Sequence, residues 1–280
     1  MNWDDLRIIA AVKDEGTYTG ASARLRIDET TVARRLARMQ RALGVRLFEA
    51  IDGVRRPTPQ CEQILVHVQQ MAAHAARIGR IGEDRPGLGG RFRIATTSGV
   101  AEGILAPRTA ALLARNPALV LQFLTSSDNV KFSRGHADIA IRLRKPERGD
   151  FTIAKLADIR LYLVEPAEGF DTGAIPCCYP PELDRTPESH YLAARGLQQR
   201  SRCITDSLGI IRTMVRGHQA VGILPEYACE DLLSDRRLRL SLLPRPREAW
   251  LLVQHHLKQD RAARAVTAWI REGFRDATRG

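Results

Sequence analysis

The beginning of the chain places apolar residues at the spacing of short amphipathic helices. Trp3, Leu6, Ile9 and Val12 recur on one helical face, and Gly16 follows as a helix-ending residue, so a first helix is predicted here. The segment GASARL then predicts a second, short helix. A three-residue break separates it from a third helical pattern. The chain is therefore expected to open with three short helices.

The third helix is predicted to bury one face and to present arginines on another. Asp28 can accept hydrogen bonds from the free amides of its first turn, where Glu29 is favourable because of the helix dipole. The apolar stripe, spaced by four, three and four residues, consists of Val32, Leu36, Met39 and Leu43. The cationic face consists of Arg34, Arg38 and Arg41. This layout is typical of a helix-turn-helix whose second helix enters the major groove. A solvated charged face is the alternative.

A hairpin is predicted after the third helix. The segments VRLFEA and GVRRP flank Asp52 and Gly53, and this dipeptide is a strong short-range signal for a tight turn between two strands. Such a hairpin is typical of the wing in winged helix-turn-helix domains. Arg55 and Arg56 lie on its second strand, where they are available for phosphate contacts that position a protein on DNA without reading its sequence.

The net charge of +11 favours polyanionic partners, although the basic excess is spread along the chain. One stretch is different, because residues 24–46 contain seven arginines against only Asp28 and Glu29. The seven arginines are Arg24, Arg26, Arg34, Arg35, Arg38, Arg41 and Arg46. This local basic stripe strengthens the interpretation that the segment binds nucleic acid.

The segments GTYTGASARL, DETTVARRLARM and RALGVRLFEA resemble, in this order, the winged helix-turn-helix of LysR-type transcriptional regulators. The string LGVRLFE at residues 43–49 is the most specific part, whereas Ala50 stands where the family usually has arginine. We expect Arg34 to read a guanine edge, with Thr30 and Ala33 facing the groove. Arg35, Arg38 and Arg55 are expected to contact phosphates. The predicted DNA-contacting residues are Thr30, Thr31, Ala33, Arg34, Arg35, Arg38 and Arg55.

A long helix is predicted next, because Thr58 is a suitable N-cap and Pro59 is favoured at the first helical position. Its apolar residues alternate at intervals of three and four, a heptad seam that favours a partner helix. The seam consists of Cys61, Ile64, Val68, Met71, Ala75 and Ile78. Packing on its own domain is the alternative, because Leu65 and Val66 broaden the stripe. The family resemblance implies that this helix pairs subunits into a homodimer or homotetramer. The implied dimerisation residues are Ile64, Val68, Met71, Ala75 and Ile78.

The rest of the chain alternates short apolar strands with helices. RFRIATT, ALVLQFL and ADIAIRL are predicted strands, and this alternation predicts a parallel sheet with ligands at the carboxyl ends of its strands. Thr96, Thr97 and Ser98 follow the first strand, where hydroxyl groups and free helix amides can hold a small anion. A plain N-cap is the alternative. The charged, glycine-rich segment GEDRPGLGG is predicted to be a hinge before this part.

Two further segments, LADIRLYLVE and GHQAVGILPEYACED, resemble the effector-binding part of LysR-type regulators, in which two similar lobes hold a small molecule in the cleft between them. The resemblance implies effector contacts from Thr97, Ser98, Thr205 and Asp206. One departure is expected, because residues 165–195 are rich in proline and glycine. The second lobe is predicted to be shortened there.

The predicted fold class is α/β, with an N-terminal winged helix-turn-helix, a long linker helix and a two-lobed effector domain that resembles periplasmic binding proteins. The DNA-binding domain is expected at residues 1–58, the linker or dimerisation helix at 59–81, the hinge at 82–90 and the effector domain at 91–280. Lobe I is expected at about 91–160 and 245–280, and lobe II at about 161–244.

The predicted function is sequence-specific regulation of transcription in the cytoplasm. The expected partners are double-stranded DNA, a small-molecule effector and RNA polymerase, with no cofactor, no metal and no membrane, since no run of about 18 apolar residues is present. A solute-binding protein would share the two lobes, but this function would not explain the basic helix. An enzyme is disfavoured because GxSxG, HExxH and P-loop motifs are absent.

The cysteine pattern argues against a disulfide framework and a zinc site, because the five cysteines show no CxxC spacing. The cysteines are Cys61, Cys177, Cys178, Cys203 and Cys229. A thiol-switched form of the regulator that uses Cys177, Cys178 or Cys203 is an alternative. Such a switch requires a thiol with a lowered pKa.

Overall fold

The computed structural model describes residues 2–78, 87–125, 137–146, 151–169, 175–178 and 186–278. The chain forms two compact units that divide between residues 85 and 86. The end of the predicted linker, residues 79–81, and most of the predicted hinge at 82–90 lie outside the described residues.

Three short helices open the N-terminal unit, and their ends are set by local caps. The helices are α1 (Trp3–Glu15), α2 (Tyr18–Leu25) and α3 (Glu29–Leu43). The Asp28 carboxylate accepts a hydrogen bond from the Thr30 amide at 2.8 Å, and Gly16 and Gly44 end α1 and α3 in the left-handed conformation. The predicted helices, the Asp28 cap and the end at Gly16 are confirmed.

The core of the N-terminal unit explains why α3 holds one orientation. Val32, Leu36 and Met39 are buried in this core, and partly buried Leu43 packs against it, so the predicted stripe is confirmed. The buried residues that α1 contributes to the same core include Leu6, Ile8, Ile9 and Val12. Because this one face is used for packing, the opposite face of α3 remains for other contacts.

The predicted wing is confirmed as a hairpin of two antiparallel strands. These are β1 (Phe48–Ile51) and β2 (Val54–Pro57). Asp52 and Gly53 form the turn with φ values of 51° and 77°, and positive φ at both central residues is what a type I′ turn requires. The Arg55 amide donates to the Gly16 carbonyl at 2.7 Å. The hairpin is therefore fixed to the end of α1.

The linker helix α4 spans Pro59–Ile78, and its heptad seam divides into a buried half and an exposed half. Thr58 Oγ1 accepts from the Cys61 amide at 3.2 Å, as predicted for an N-cap. Cys61 and Val68 belong to the core of the N-terminal unit, and Ile64 packs against it. Val68 is therefore corrected from a predicted subunit contact to a core residue, and packing on its own domain accounts for the first half of the seam. The exposed seam residues are Met71, Ala75 and Ile78.

The first sheet of the C-terminal unit has the strand order β4-β3-β5-β12-β6. Its strands are β3 (Gly90–Thr96), β4 (Leu119–Thr125), β5 (Ile139–Arg142), β6 (Phe151–Ile159) and β12 (Arg247–Gln254). The strands β3, β4 and β5 are parallel as predicted. A wholly parallel sheet was the wrong expectation, because β12 pairs antiparallel with both β5 and β6.

The helices of this first lobe cover its sheet. A continuous helical segment comprises α5 (Ser98–Val100), a π-helical turn (Ala101–Leu105) and α6 (Ala106–Arg115). The final helix, α9, spans Arg261–Ala277. Its buried Val266, Ile270 and Phe274 pack in one core with residues of β3 and β5 such as Ile94 and Ile141.

The second sheet has the order β11-β7-β10-β8-β9 and is also mixed. Its strands are β7 (Leu161–Pro166), β8 (Ile175–Cys178), β9 (Cys203–Ile204), β10 (Ala220–Pro225) and β11 (Leu238–Leu242). Its helices are α7 (Pro187–Ala194) and α8 (Leu208–Arg216). Residues 165–195, where the second lobe was predicted to be shortened, still contain the strand β8 and the helix α7.

The chain crosses between the two sheets at Arg160, which separates β6 from β7. The Arg160 amide donates to Glu226 Oε1 at 3.0 Å, and its Nε donates to Oε2 at 2.7 Å. The Glu226 amide in turn donates to the Arg160 carbonyl at 2.9 Å. These three bonds fix the crossing point of a two-lobed α/β domain, and the predicted fold class is confirmed.

Candidate DNA-binding surface and effector segments

The predicted DNA-contacting residues lie on α3 and the wing, and none of them is buried. Thr30, Arg34 and Arg38 are exposed, whereas the side chains of the other members are partly covered. The partly covered members are Thr31, Ala33, Arg35 and Arg55. The Thr30 hydroxyl donates to the Asp28 carboxylate. This bond makes the largest contribution to holding the pKa of Asp28 below its ordinary value, and the bond from the Thr30 amide makes the next largest.

Arg34 is the exposed arginine closest to the start of α3. Within the described residues it forms neither a hydrogen bond nor an ion pair. Its guanidinium is therefore available for a ligand, while the buried stripe on the same helix fixes the backbone that carries it.

Arg38 differs from Arg34 because it already pairs with a carboxylate of α1. Its Nη2 lies 2.9 Å and 3.0 Å from the two oxygens of Asp5, and Nη1 of Arg35 lies 3.9 Å from the same carboxylate. Asp5 was not among the predicted functional residues. The only sequence signal for it was an acidic residue in the first turn of α1, three positions after Asn2.

A groove of about 600 Å³ lies beside the wing. Arg55 stacks over the Tyr18 ring, with its guanidinium carbon 4.5 Å from the ring centroid. The groove is lined by Tyr18, Gln40, Arg46, Phe48, Glu49, Ala50, Ile51 and Arg55. Arg46 thus belongs to this surface although the sequence indicated only that it is part of the basic stripe. Arg24 is engaged elsewhere, since it lies 2.8 Å from Asp14 and 3.3 Å from Glu15.

The four predicted effector residues lie at the starts of two helices. Thr97 caps α5 and accepts from the Val100 amide at 3.4 Å, and Thr205 Oγ1 accepts from the Ser207 amide at 3.1 Å just before α8. Ser98 is partly covered and Asp206 is exposed. The neighbouring Thr96 hydroxyl is buried and has no hydrogen-bond partner among the described residues. Thr97 therefore acts as an N-cap, which was the alternative to an anion site. Thr96, at the end of the same strand, adds a buried hydroxyl group without a partner among the described residues.

The structure brings these two helix starts together across the lobes. A methyl group at Gly99 would lie 2.6 Å from Leu208 Cδ2, so a larger residue here would displace the Leu208 side chain. A second close approach follows in the π-helical turn, where a methyl group at Gly103 would lie 2.6 Å from Tyr227 Cδ2. The predicted segments at Thr97 and Thr205 thus flank a packed contact between the lobes.

The cysteines of the thiol-switch alternative lie on neighbouring strands of the second sheet. Cys177 on β8 is the register partner of Cys203 on β9. Burial, with a smaller contribution from Cys203, raises the pKa of the Cys177 thiol to about 12. A thiol that stays protonated is a poor nucleophile, and this argues against Cys177 as the reactive group of a switch.

Alkylation of the native protein at pH 8 is expected to spare Cys61, Cys177 and Cys229. Burial raises the pKa of each thiol to about 12, so about one molecule in ten thousand carries the thiolate at pH 8. The partly covered Cys203 is expected to react first. Iodoacetamide labelling followed by peptide mass spectrometry measures this order, and labelling in urea is the control. Equal rates for Cys177 and Cys203 in the native protein would contradict it.

Among the described residues, no helix is both long and apolar enough to span a membrane.

Comparison with known proteins places both units in one family. Residues 3–62 match the model for the bacterial regulatory helix-turn-helix protein of the lysR family, and residues 85–275 match the LysR substrate binding domain. The "Mau operon transcriptional activator" of Paracoccus denitrificans is 40% identical over 282 residues, which cover 100% of this chain and 99% of that protein.

Solved structures of full-length regulators have the same fold. LysG from Corynebacterium glutamicum, solved with bound effector Arg, aligns with a TM-score of 0.72 at 17% identity over 99% of both chains. CbnR, solved in complex with its target DNA, aligns with a TM-score of 0.62 at 16% identity over 99% of this chain and 100% of that one. The chain therefore belongs to the LysR family of bacterial helix-turn-helix proteins and is a DNA-binding transcriptional regulator with an effector-binding domain.

Proposed function

We propose that α3 is the recognition helix and that Arg34 reads a guanine edge in the major groove. The observation that supports this role is the exposure of Arg34 on a helix whose opposite stripe is buried, without a partner among the described residues. A guanidinium can donate two parallel hydrogen bonds to the O6 and N7 atoms of guanine, which is the commonest specific contact in the major groove. Thr30, Thr31 and Ala33 lie around it and face the bases.

Arg35 and Arg55 contact phosphates in this arrangement. Arg55 suits that role because its guanidinium lies over the Tyr18 ring, an attractive contact that helps to position the cation. Such contacts fix the register of the protein on the duplex and add affinity for every sequence. Arg38 is left out of the phosphate-contacting set because Asp5 already pairs with it.

Replacing Arg34 with alanine is expected to weaken binding to the preferred site about 5- to 150-fold, because each bidentate base contact contributes about 1–3 kcal/mol of discrimination. Binding to random duplex should fall much less. The preferred site is first obtained by selection from random-sequence duplexes with the wild-type protein, and both affinities are then measured by fluorescence anisotropy.

Arg41→Ala is the matched control, because Arg41 is also exposed on α3 but lies nearly two turns further along. It should retain the preference for the selected site. Equal losses on selected and random duplexes for Arg34→Ala would contradict base reading by Arg34. A wild-type protein without affinity for any duplex in low salt would contradict the whole assignment.

A small-molecule effector is proposed to bind where α5 and α8 begin, through Thr97, Ser98, Thr205 and Asp206. The buried Thr96 hydroxyl supports a polar ligand at this place, because buried polar groups normally have a hydrogen-bond partner. The arginine bound to LysG, a protein of the same fold, also supports a small polar effector. Binding there would change the contact between Gly99 and Leu208 and with it the arrangement of the lobes.

A homodimer or homotetramer is proposed to form through the exposed half of α4, at Met71, Ala75 and Ile78. Pairing through this helix gives two recognition helices for two half-sites of an operator. The proposed domains are residues 1–58 for DNA, 59–81 for dimerisation, 82–90 as a hinge and 91–280 for the effector. RNA polymerase is the proposed further partner, and the cytoplasm, where the DNA is, is the proposed location. No catalytic role is proposed.

A further inference from the structure

We propose that Asp5 is a specificity-determining residue of the DNA interface. Its carboxylate occupies Arg38 and prevents one guanidinium of the recognition helix from contacting phosphate. This inference rests on the proposed use of the arginine face of α3 for duplex DNA. It assigns a role in DNA recognition to a residue of α1, a helix outside the predicted DNA-contacting set.

The geometry around Asp5 is that of a buried acceptor with an exposed cation above it. Asp5 is 1% exposed, whereas the Arg38 side chain is 59% exposed. Both carboxylate oxygens lie within 3.0 Å of Arg38 Nη2, and one oxygen also accepts from the Asn2 amide at 3.3 Å. Arg35 Nη1 approaches to 3.9 Å. The carboxylate is thus held in place by its own helix and directed at α3.

Arg38 would have to leave Asp5 before it could contact a phosphate. A carboxylate that is buried without its cation carries a large desolvation cost. A single phosphate contact at the surface of DNA is weakened by salt. The intramolecular pair is therefore favoured over the phosphate contact, and Arg38 stays on Asp5 when the protein binds DNA.

This arrangement favours specific over random binding. Phosphate contacts raise the affinity for every sequence, whereas base contacts raise it only for the preferred site. Because Arg38 makes no phosphate contact, the affinity for random DNA is lower than it would be with that contact. The base contact of Arg34, which discriminates between sequences, is unaffected. Acidic residues of α1 act on a second arginine of the basic stripe as well, since Arg24 pairs with Asp14 and Glu15.

The test is the salt dependence of DNA binding by Asp5→Asn. The amide keeps the size of the side chain and an acceptor oxygen for the Asn2 amide, but it no longer holds Arg38 by charge. We expect one additional phosphate contact, so the plot of log affinity against log salt for random duplex should become steeper by about 0.9. Affinity for random duplex should then fall roughly 3.5-fold more than in the wild type between 50 and 200 mM salt. The ratio of selected-site to random affinity should decrease.

Asp4→Asn is the matched control. Asp4 is the neighbour of Asp5 along the chain, its carboxylate is exposed and pairs with Arg7, and the substitution removes the same charge. Its salt slope should equal that of the wild type. The double variant Asp5→Asn with Arg38→Ala should also return to the wild-type slope, since the released guanidinium is then absent. Equal steepening in Asp4→Asn and Asp5→Asn would reveal a general charge effect and overturn the proposal.

A second variant keeps the proposal testable if Asp5→Asn does not fold, as judged by circular dichroism. Arg38→Gln retains a donor for Asp5 but removes the positive charge, and we expect its salt slope to be unchanged. A slope shallower by about 0.9 would mean that Arg38 contacts phosphate, which would overturn the proposal. The Arg34→Ala result is independent of this outcome. Specific loss for Arg34→Ala together with an unchanged slope for Asp5→Asn refutes only the role of Asp5.

Discussion

Replacing Arg247 with methionine is expected to lower the free energy of unfolding of the C-terminal unit by about 3–5 kcal/mol. Nη1 of Arg247 lies 2.5 Å from Oε1 of Glu188, and the two side chains are 17% and 4% exposed. Without the guanidinium, the buried Glu188 carboxylate loses the cation that it pairs with, and its other oxygen already has no partner among the described residues. An uncompensated buried charge explains the large expected effect.

The position of this pair makes it relevant to the lobes. Glu188 lies in the first turn of α7, which packs on the second sheet, and Arg247 begins β12 in the first sheet. The pair therefore ties the two lobes together near the return crossing. Arg160 and Glu226 do the same at the other crossing. These two ion pairs therefore connect the lobes at both crossings.

Tryptophan fluorescence in urea measures the effect in a Trp3→Phe background. The three tryptophans of the chain are Trp3, Trp250 and Trp269, and the last two lie in the C-terminal unit. The signal then reports that unit alone, and the midpoint multiplied by the slope gives the free energy of unfolding.

The control for Arg247→Met lies on the neighbouring strand, β6. Lys155 pairs with Glu248, the neighbour of Arg247, at 3.1 Å, and both side chains are exposed. Lys155→Met should therefore cost less than about 1 kcal/mol. Arg247→Met combined with Glu188→Leu should recover most of the loss, because apolar groups replace a buried ion pair at little cost. A loss for Arg247→Met no larger than that for Lys155→Met would refute the argument.

The N-terminal unit was predictable because its signals are local. The Asp28 cap, the Gly16 end, the Asp52-Gly53 turn and the stripe on α3 each depend on residues a few positions apart. Each of these signals specifies backbone geometry directly. The same reasoning located β3, β4 and β5 of the C-terminal unit, since short apolar segments between helices are also local.

The pairings between distant segments were not predictable from one sequence. Asp5 and Arg38 are 33 positions apart, and Glu188 and Arg247 are 59 positions apart. No local pattern distinguishes these acids and bases from solvated ones. The antiparallel position of β12 is non-local for the same reason. Val68 illustrates a further limit, because a heptad seam has the same spacing whether it packs on its own domain or on a partner helix.

Leu36→Ala is expected to have the second large effect and to destabilise the N-terminal unit by about 2–5 kcal/mol. Leu36 is fully buried in the middle of α3, within the core shared with α1 and α4. Truncation removes apolar contacts and leaves a cavity that the small core cannot fill completely. Stabilities of domains are about 5–15 kcal/mol, and small domains lie low in that range, so the loss is a large part of the total.

Hydrogen exchange followed by mass spectrometry locates this loss. Peptides from α1 and α3 should lose protection in Leu36→Ala, whereas peptides from β10 in the C-terminal unit should keep it. Leu36→Met is the matched control at the same position, because a volume-conserving change should cost less than about 1.5 kcal/mol.

The comparison of Leu36→Ala with Arg34→Ala distinguishes two contributions to DNA binding. One is the packing that orients the arginine face of α3, and the other is the contact that Arg34 itself makes with DNA. Leu36→Ala should weaken binding to selected and random duplexes together, because the whole face loses its orientation when α3 is no longer packed. Arg34→Ala should leave exchange protection unchanged and lose only the preference for the selected site. Full protection and full specificity in Leu36→Ala would mean that burial of this stripe does not determine how α3 meets DNA.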